Sequence, residues 1–292
     1  MTQTARLILD SQCALGEGPV WHEGRQQLFF VDINEQTLFA VTPAGEVAES
    51  WLFNETVAAL AIVDDHTLVL ATDTGLKQFD LATGGMNRIN EIEADNPDTR
   101  TNDSRVHPSG AFWIGTMGRV DEEAPVGSVY HYRAGTLTTL KSGISIPNAT
   151  CFSPDGRIAY WTDTPTRKIL QCPTDPETGL PAGEWTLFAD IEGHRGFPDG
   201  AVVDSEGYLW NARWGGSCVV RHAPDGSVDR IIEVPVSQVT CPAFGGPDLK
   251  TLFITTANKN LSDEQRAAEK VAGGLFAIEV DVAGQPEAKI VL

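Results

Sequence analysis

One phrase occurs six times in this chain: a turn carrying Gly or Asp, then, after a residue or two, an alternating apolar run that ends in small or polar residues. The turns are His22-Glu23-Gly24, Asp64-Asp65-His66, Pro108-Ser109-Gly110, Pro154-Asp155-Gly156, Ser205-Glu206-Gly207 and Pro247-Asp248-Leu249. They lead into residues 28–32, 68–72, 112–116, 159–163, 209–213 and 252–256. Alternation with period two marks β-strands, and a repeat of roughly 40 to 50 residues is the length of one four-stranded propeller blade. Six copies fill the 292 residues. The expected architecture is all-β, a single six-bladed β-propeller domain over residues 1–292 with four-stranded antiparallel blades.

Further strands follow each copy at 37–41, 75–79, 128–132, 168–170, 218–221 and 274–278, which leaves little room for helix. The exception is 262–270, where Ser262 followed by Gln265 forms a capping box and acids precede Lys270; a short surface helix is expected there. The ring is expected to close by residues 6–9 pairing with strands of the last blade near 289–292, hiding two sheet edges.

A net charge of -19 argues against nucleic acid or an anionic membrane as partner, since both repel it. The five cysteines are widely spaced and form no Cys-x-x-Cys pair, so neither a disulfide framework nor a zinc-thiolate site is indicated. The N-terminus lacks a basic region followed by an apolar stretch. A cytoplasmic monomer with buried thiols is the expectation.

In a propeller, the innermost strands and the loops entering them converge on one end of a central tunnel. Segments just upstream of the phrase are therefore where chemistry is sought. Four stand out: residues 15–21, 100–103, 146–149 and 197–200. Asp199 lies between Pro198, which fixes φ, and Gly200, which permits unusual backbone; it is expected at a rigid turn before a strand, although Pro-Asp-Gly is also an ordinary turn. Glu17, Asn148 and Asp199 together offer two carboxylates and an amide oxygen, a set suited to a divalent cation with positions open to water or substrate. Surface-turn carboxylates are the competing reading. His194 and Arg195 are candidates for the tunnel mouth. Trp113, Trp161 and Trp210 recur in the phrase and read as core, while Trp21 and Trp214, at strand ends, are open. Serine-hydrolase, phosphate-loop and dinucleotide motifs are missing from the sequence.

The segments Gly16-Glu17-Gly18-Pro19-Val20-Trp21, Phe30-Val31-Asp32-Ile33, Arg100-Thr101-Asn102-Asp103, Gly115-Thr116-Met117, Pro198-Asp199-Gly200, Phe244-Gly245-Gly246 and Ala272-Gly273-Gly274-Leu275-Phe276 resemble, in content and order, the gluconolactonase and regucalcin family of lactone hydrolases. The resemblance runs end to end. It implies a six-bladed propeller with one divalent metal, held by Glu17, Asn148 and Asp199. It also implies substrate binding by Arg100, Asn102 and Glu123, with Glu122 beside it as the alternative. Many relatives have Gly after the metal-binding Asn, whereas here it is Ala149.

The resemblance implies a metal-dependent lactonase that hydrolyses a sugar acid (aldonic) lactone, with Asp199 as proton acceptor. The ion is Ca, Mg, Mn, Zn or Fe(II), since hard oxygen donors do not choose among them. The alternatives are hydrolysis of aldaric lactones or other esters on the same site, or a non-catalytic calcium- or protein-binding propeller.

Overall fold

The computed structural model describes residues 3–292. Six antiparallel sheets form the blades of a propeller. Blade 1 runs Gly16–His22, Gln27–Asp32, Thr37–Val41 and Val47–Leu52 from the axis outward, and blades 2 to 5 repeat this order. Each innermost strand touches the next, and that of blade 6, Val239–Gly245, touches that of blade 1.

The apolar runs of the repeated phrase are the second strand of each blade, as in Gln27–Asp32 and Leu209–Trp214, and those expected to follow are the third. A second strand has a sheet neighbour on either side and a blade packed against each face. It is therefore apolar almost throughout, and it is buried along nearly its whole length. The fourth strands are half exposed and mix polar with apolar residues, so they form no continuous apolar run.

The core is divided into six apolar clusters, one at each seam between neighbouring blades. Trp210 meets Phe244 edge-on between blades 5 and 6, and Trp113 meets Phe152 between blades 3 and 4. Trp21 is core as well, stacked on Phe253. This arrangement leaves the axis to polar groups.

Ring closure differs from expectation. Arg6–Leu9 does become the outer strand of blade 6, but its partner is Leu275–Glu279 and not the C-terminal residues. Gln3–Thr4 continues as a fifth, parallel strand on blade 5. The C-terminal segment instead crosses the tunnel end of blades 5, 3 and 2. Gln285 Nε2 donates to Val203 O at 3.0 Å, Glu287 is ion-paired with Arg105 at 2.5 Å, and Ile290 N donates to Ile62 O at 2.9 Å.

The expected helix forms at Asp263–Ala268 with both halves of its capping box in place. Among the described residues no helix is long and apolar enough to cross a membrane. All five cysteines are free and buried.

Candidate active site

At one level of every innermost strand the pairing register slips. The slips fall between Glu17 and Val20, Val57 and Ala59, Thr101 and Ser104, Asn148 and Cys151, Pro198 and Ala201, and Val239 and Cys241. A bulge turns side chains out of the regular alternation, here toward the tunnel. Glu17, Asn102, Asn148 and Asp199 all sit at these bulges. Asp199 is thus inside a strand, Phe197–Val203, and not at a turn ahead of one.

Small residues permit the bulges. Gly18 has φ 55, and a Cβ there would lie 3.1 Å from Ala58 O. A Cβ on Gly200 would stand 2.4 Å from Cys241 Sγ. Ala149 also adopts a left-handed conformation, φ 55, where Gly would be unstrained. The replacement of Gly by Ala leaves the bulge intact.

A directed chain of hydrogen bonds joins blades 3, 4 and 5. Arg100 Nη1 donates to Thr101 O and to Asn102 Oδ1, both at 2.9 Å. Asn102 Nδ2 donates to Pro147 O at 2.9 Å and to Asn148 Oδ1 at 3.1 Å. Asn148 Nδ2 donates to Thr164 Oγ1 at 3.0 Å, and that hydroxyl donates to Pro198 O at 2.9 Å, next to Asp199. Asn211 Nδ2 then holds the Asp199 and Gly200 carbonyls at 2.7 and 3.1 Å. The chain fixes both amides: Asn148 keeps one Oδ1 lone pair for a ligand, and both Nδ2 protons of Asn102 are spent within the protein.

Glu17, Arg100, Asn102, Asn148 and Asp199 are buried as residues yet line one cavity of about 830 Å³. Burial raises the pKa of Glu17, and the Asp103 charge adds to it. The Asp199 pKa is pushed well above the usual carboxylate range by burial first, then by Glu17 and Asp103. Burial first, with the Arg119 charge adding to it, makes Arg100 a weaker base than usual.

Glu122 and Glu123 both line the cavity from the loop between the second and third strands of blade 3. Glu122 is ion-paired with Lys259, which reaches across from blade 6. Among the described residues Glu123 has no ion pair. Leu15, Met117, Ile146, Phe197 and Trp214 supply apolar wall, which settles Trp214 as a cavity residue. His194 and Arg195 do not line this cavity; they line a different one, with Asp190 and His222.

Thr164 and Lys259 were not foreseen. Thr164 lies in Asp163-Thr164-Pro165 and Lys259 in a long connection, and neither belongs to a repeated position. Asp103 stood inside a recognised motif without a role; Thr150 N donates to its carboxylate at 2.7 Å, and its charge acts on both Glu17 and Asp199.

Among the described residues no three His, Cys, Asp or Glu side chains gather as a metal-holding group. The donor set here is two carboxylates and an amide oxygen, with the amide orientation already fixed. Two buried carboxylates whose proton affinity burial has raised form a site whose charge a cation would balance. The residues present fit a divalent ion.

Known proteins resemble the chain along its whole length. The sequence profile described as "SMP-30/Gluconolactonase/LRE-like region" matches residues 15–258. The chain is 37% identical to the L-arabinolactonase of Azospirillum brasilense, over 98% of this chain and 95% of the relative. It is 34% identical to the pentonolactonase of Haloferax volcanii, over 97% of each. A crystal structure of a calcium-binding protein, regucalcin, from Agrobacterium tumefaciens superposes with TM-score 0.96 at 39% identity, covering 100% of both chains.

Proposed function

The chain belongs to the family of SMP-30, gluconolactonase and LRE-like proteins, and from that premise we propose that it is a divalent-metal-dependent lactonase. Its substrate is an aldonic sugar lactone such as gluconolactone, xylonolactone or arabinonolactone, opened to the chain acid. The observation that supports this reading is that Glu17, Asn148, Asp199, Arg100 and Glu123 all line one cavity.

In this reading Glu17, Asn148 and Asp199 hold the ion. When bound, such an ion supplies Lewis acidity toward a lactone carbonyl and lowers the pKa of water beside it. Asp199 takes the proton of the attacking water. The water oxygen bonds to the lactone carbonyl carbon, the ring C–O bond breaks, and Asp199 returns the proton to the departing ring oxygen. Arg100 and Glu123 bind sugar hydroxyls, and Asn102 keeps Asn148 in register. Mere ion binding needs neither Arg100 nor Glu123. The five buried free thiols accord with a cytoplasmic sugar-oxidation route.

The test is acid release from a panel of sugar lactones against the spontaneous rate, with metal stripped and Ca, Mg, Mn, Zn or Fe(II) restored singly. Rapid turnover of one lactone on restoring one ion is expected. Stoichiometric ion binding with every lactone at background would make the protein a binding propeller instead.

A further inference from the structure

The connection between the second and third strands of a blade is short at four places in the ring: 33–36 in blade 1, 73–74 in blade 2, 164–167 in blade 4 and 215–217 in blade 5. It is long in the other two, 119–126 in blade 3 and 257–274 in blade 6. In a ring of six, blades 3 and 6 stand opposite one another across the tunnel. Both long connections line the large cavity, through Val120, Asp121, Glu122 and Glu123 on one side and Lys259 and Asn260 on the other. The ion pair of Glu122 with Lys259 joins them, and among the described residues it is the one ion pair between opposite blades.

The two ends of this pair are held very differently. Lys259 stands on fixed backbone: its N donates to Ala14 O at 2.9 Å, Asn258 N to Cys13 O at 3.1 Å and Ala257 N to Gln238 O at 2.9 Å. Asn258 Nδ2 adds a bond to Gln12 O at 3.0 Å. The blade 3 loop is fixed at its root, where Arg119 N donates to Asp98 O at 2.8 Å and the Arg119 guanidinium pairs with Asp73 at 2.9 Å. Beyond the root, residues 120–126 bond to one another: Glu123 N to Asp121 Oδ1 at 3.2 Å, Ala124 N to Asp121 O at 3.3 Å and Val126 N to Ala124 O at 2.8 Å. Among the described residues, the Glu122 contact with Lys259 is the one hydrogen bond or ion pair that ties this stretch to the rest of the protein. A segment with so few outside bonds opens at small cost.

We propose that Lys259 is a positioning residue that latches the blade 3 loop over the cavity from the opposite blade and so holds Glu123 toward the substrate. This rests on the reading of Glu123 as a ligand for sugar hydroxyls. Lys259 acts on the substrate through Glu122 and the loop, not by contact. The two side chains are 17% and 36% exposed, and a pair so open to water favours the closed arrangement by about two- to fivefold. Such a latch orders the loop without barring entry.

A nitroxide on Val120→Cys reads the loop directly, because Val120 is 90% exposed while all five native cysteines are buried. The label is expected to be restricted in the otherwise wild-type chain and to gain a mobile component in Lys259→Met or Glu122→Gln, with the double variant no more mobile than either single one. Steady-state kinetics at saturating metal give the second reading. Lys259→Met is expected to raise KM for a neutral lactone about two- to fivefold with kcat little changed, since Glu123 holds bound substrate and transition state alike. Sodium chloride is expected to raise the wild-type KM toward that of the variant and to leave the variant's where it is. Screening weakens the pair, and a neutral lactone offers salt no charge to act on. Equal line shapes in wild type and both single variants overturn the latch; an unchanged KM in Lys259→Met beside a loosened loop overturns its role toward Glu123. Background turnover of every lactone by the wild-type chain ends the lactonase reading instead, and the label still decides whether Lys259 holds the loop.

Discussion

Asn102 donates through Nδ2 to Asn148 Oδ1 at 3.1 Å, a contact between side chains 46 positions apart that couples the bulge of blade 3 to that of blade 4. Asn102→Asp replaces this donor, and the one to Pro147 O, by an acceptor facing two oxygens. Each buried oxygen left unsatisfied costs about 1–3 kcal/mol, so kcat/KM is expected to fall by roughly 100-fold. Arg100→Ala, by contrast, is expected to raise KM and leave ion content unchanged. Steady-state kinetics together with metal analysis separate the two, and wild-type turnover in Asn102→Asp would remove Asn102 from the positioning chain.

Glu17 raises the proton affinity of Asp199, and both carboxylates line one cavity. With metal stripped, neutralising one of them relieves repulsion, so Glu17→Gln is expected to melt above wild type. In the same variant the affinity for a divalent ion drops by at least about tenfold. Asp199→Asn is expected to lose on the order of 10²–10⁴ in kcat. Calorimetry with and without the restored ion reads all three. Unchanged turnover in Asp199→Asn would end the proposed proton route.

Arg105 and Glu287, with side chains 9% and 14% exposed, tie the C-terminal segment across the tunnel. Glu287→Ala leaves a buried cation unpaired, at about 3 kcal/mol, or a Tm fall of about 6 °C. Adding Arg105→Met removes the stranded charge and is expected to recover much of that loss. Unfolding in denaturant measures both, and additive losses would show that the pair is not coupled.

His222 is held neutral by burial, its pKa lowered to about 4 from the ordinary 6.5. The unfolded chain therefore takes up a proton between these values and the folded chain does not. Stability from this group is complete above pH 6.5 and falls as pH drops toward 4, by about 3 kcal/mol at most. His222→Gln is expected to flatten that part of the stability profile. An acid limb of unchanged slope in the variant would assign the loss to other groups.

The repeat was legible because the second strand of each blade is buried on both faces. Burial leaves it few polar positions, and six largely apolar runs at a spacing of roughly 40 to 50 residues follow. The fourth strands, such as Val47–Leu52 and Met86–Glu91, face water on one side and carry no comparable signature. The N-terminal strand was recognised as the closing element, but its partner was misplaced. Any apolar C-terminal residues could have served, and only packing decided that Leu275–Glu279 takes that edge while Glu287 goes to Arg105.

Glu17, Arg100, Asn102, Asn148 and Asp199 were all named from their segments and their resemblance to a known family, and all line one cavity. Asp199 was assigned to a turn because Pro and Gly flank it; the bulge that actually aims it is a property of pairing with a neighbouring strand, which no local pattern encodes. Thr164, Lys259 and Asp103 act through partners 16 to 137 positions away. The sequence by itself determined the number of blades and pointed to residues that line one cavity, because burial imposes its pattern locally. Only the tertiary structure decided which amide orients which and which carboxylate is held by Lys259. Those outcomes depend on side chains that closure of the ring brings within hydrogen-bonding distance.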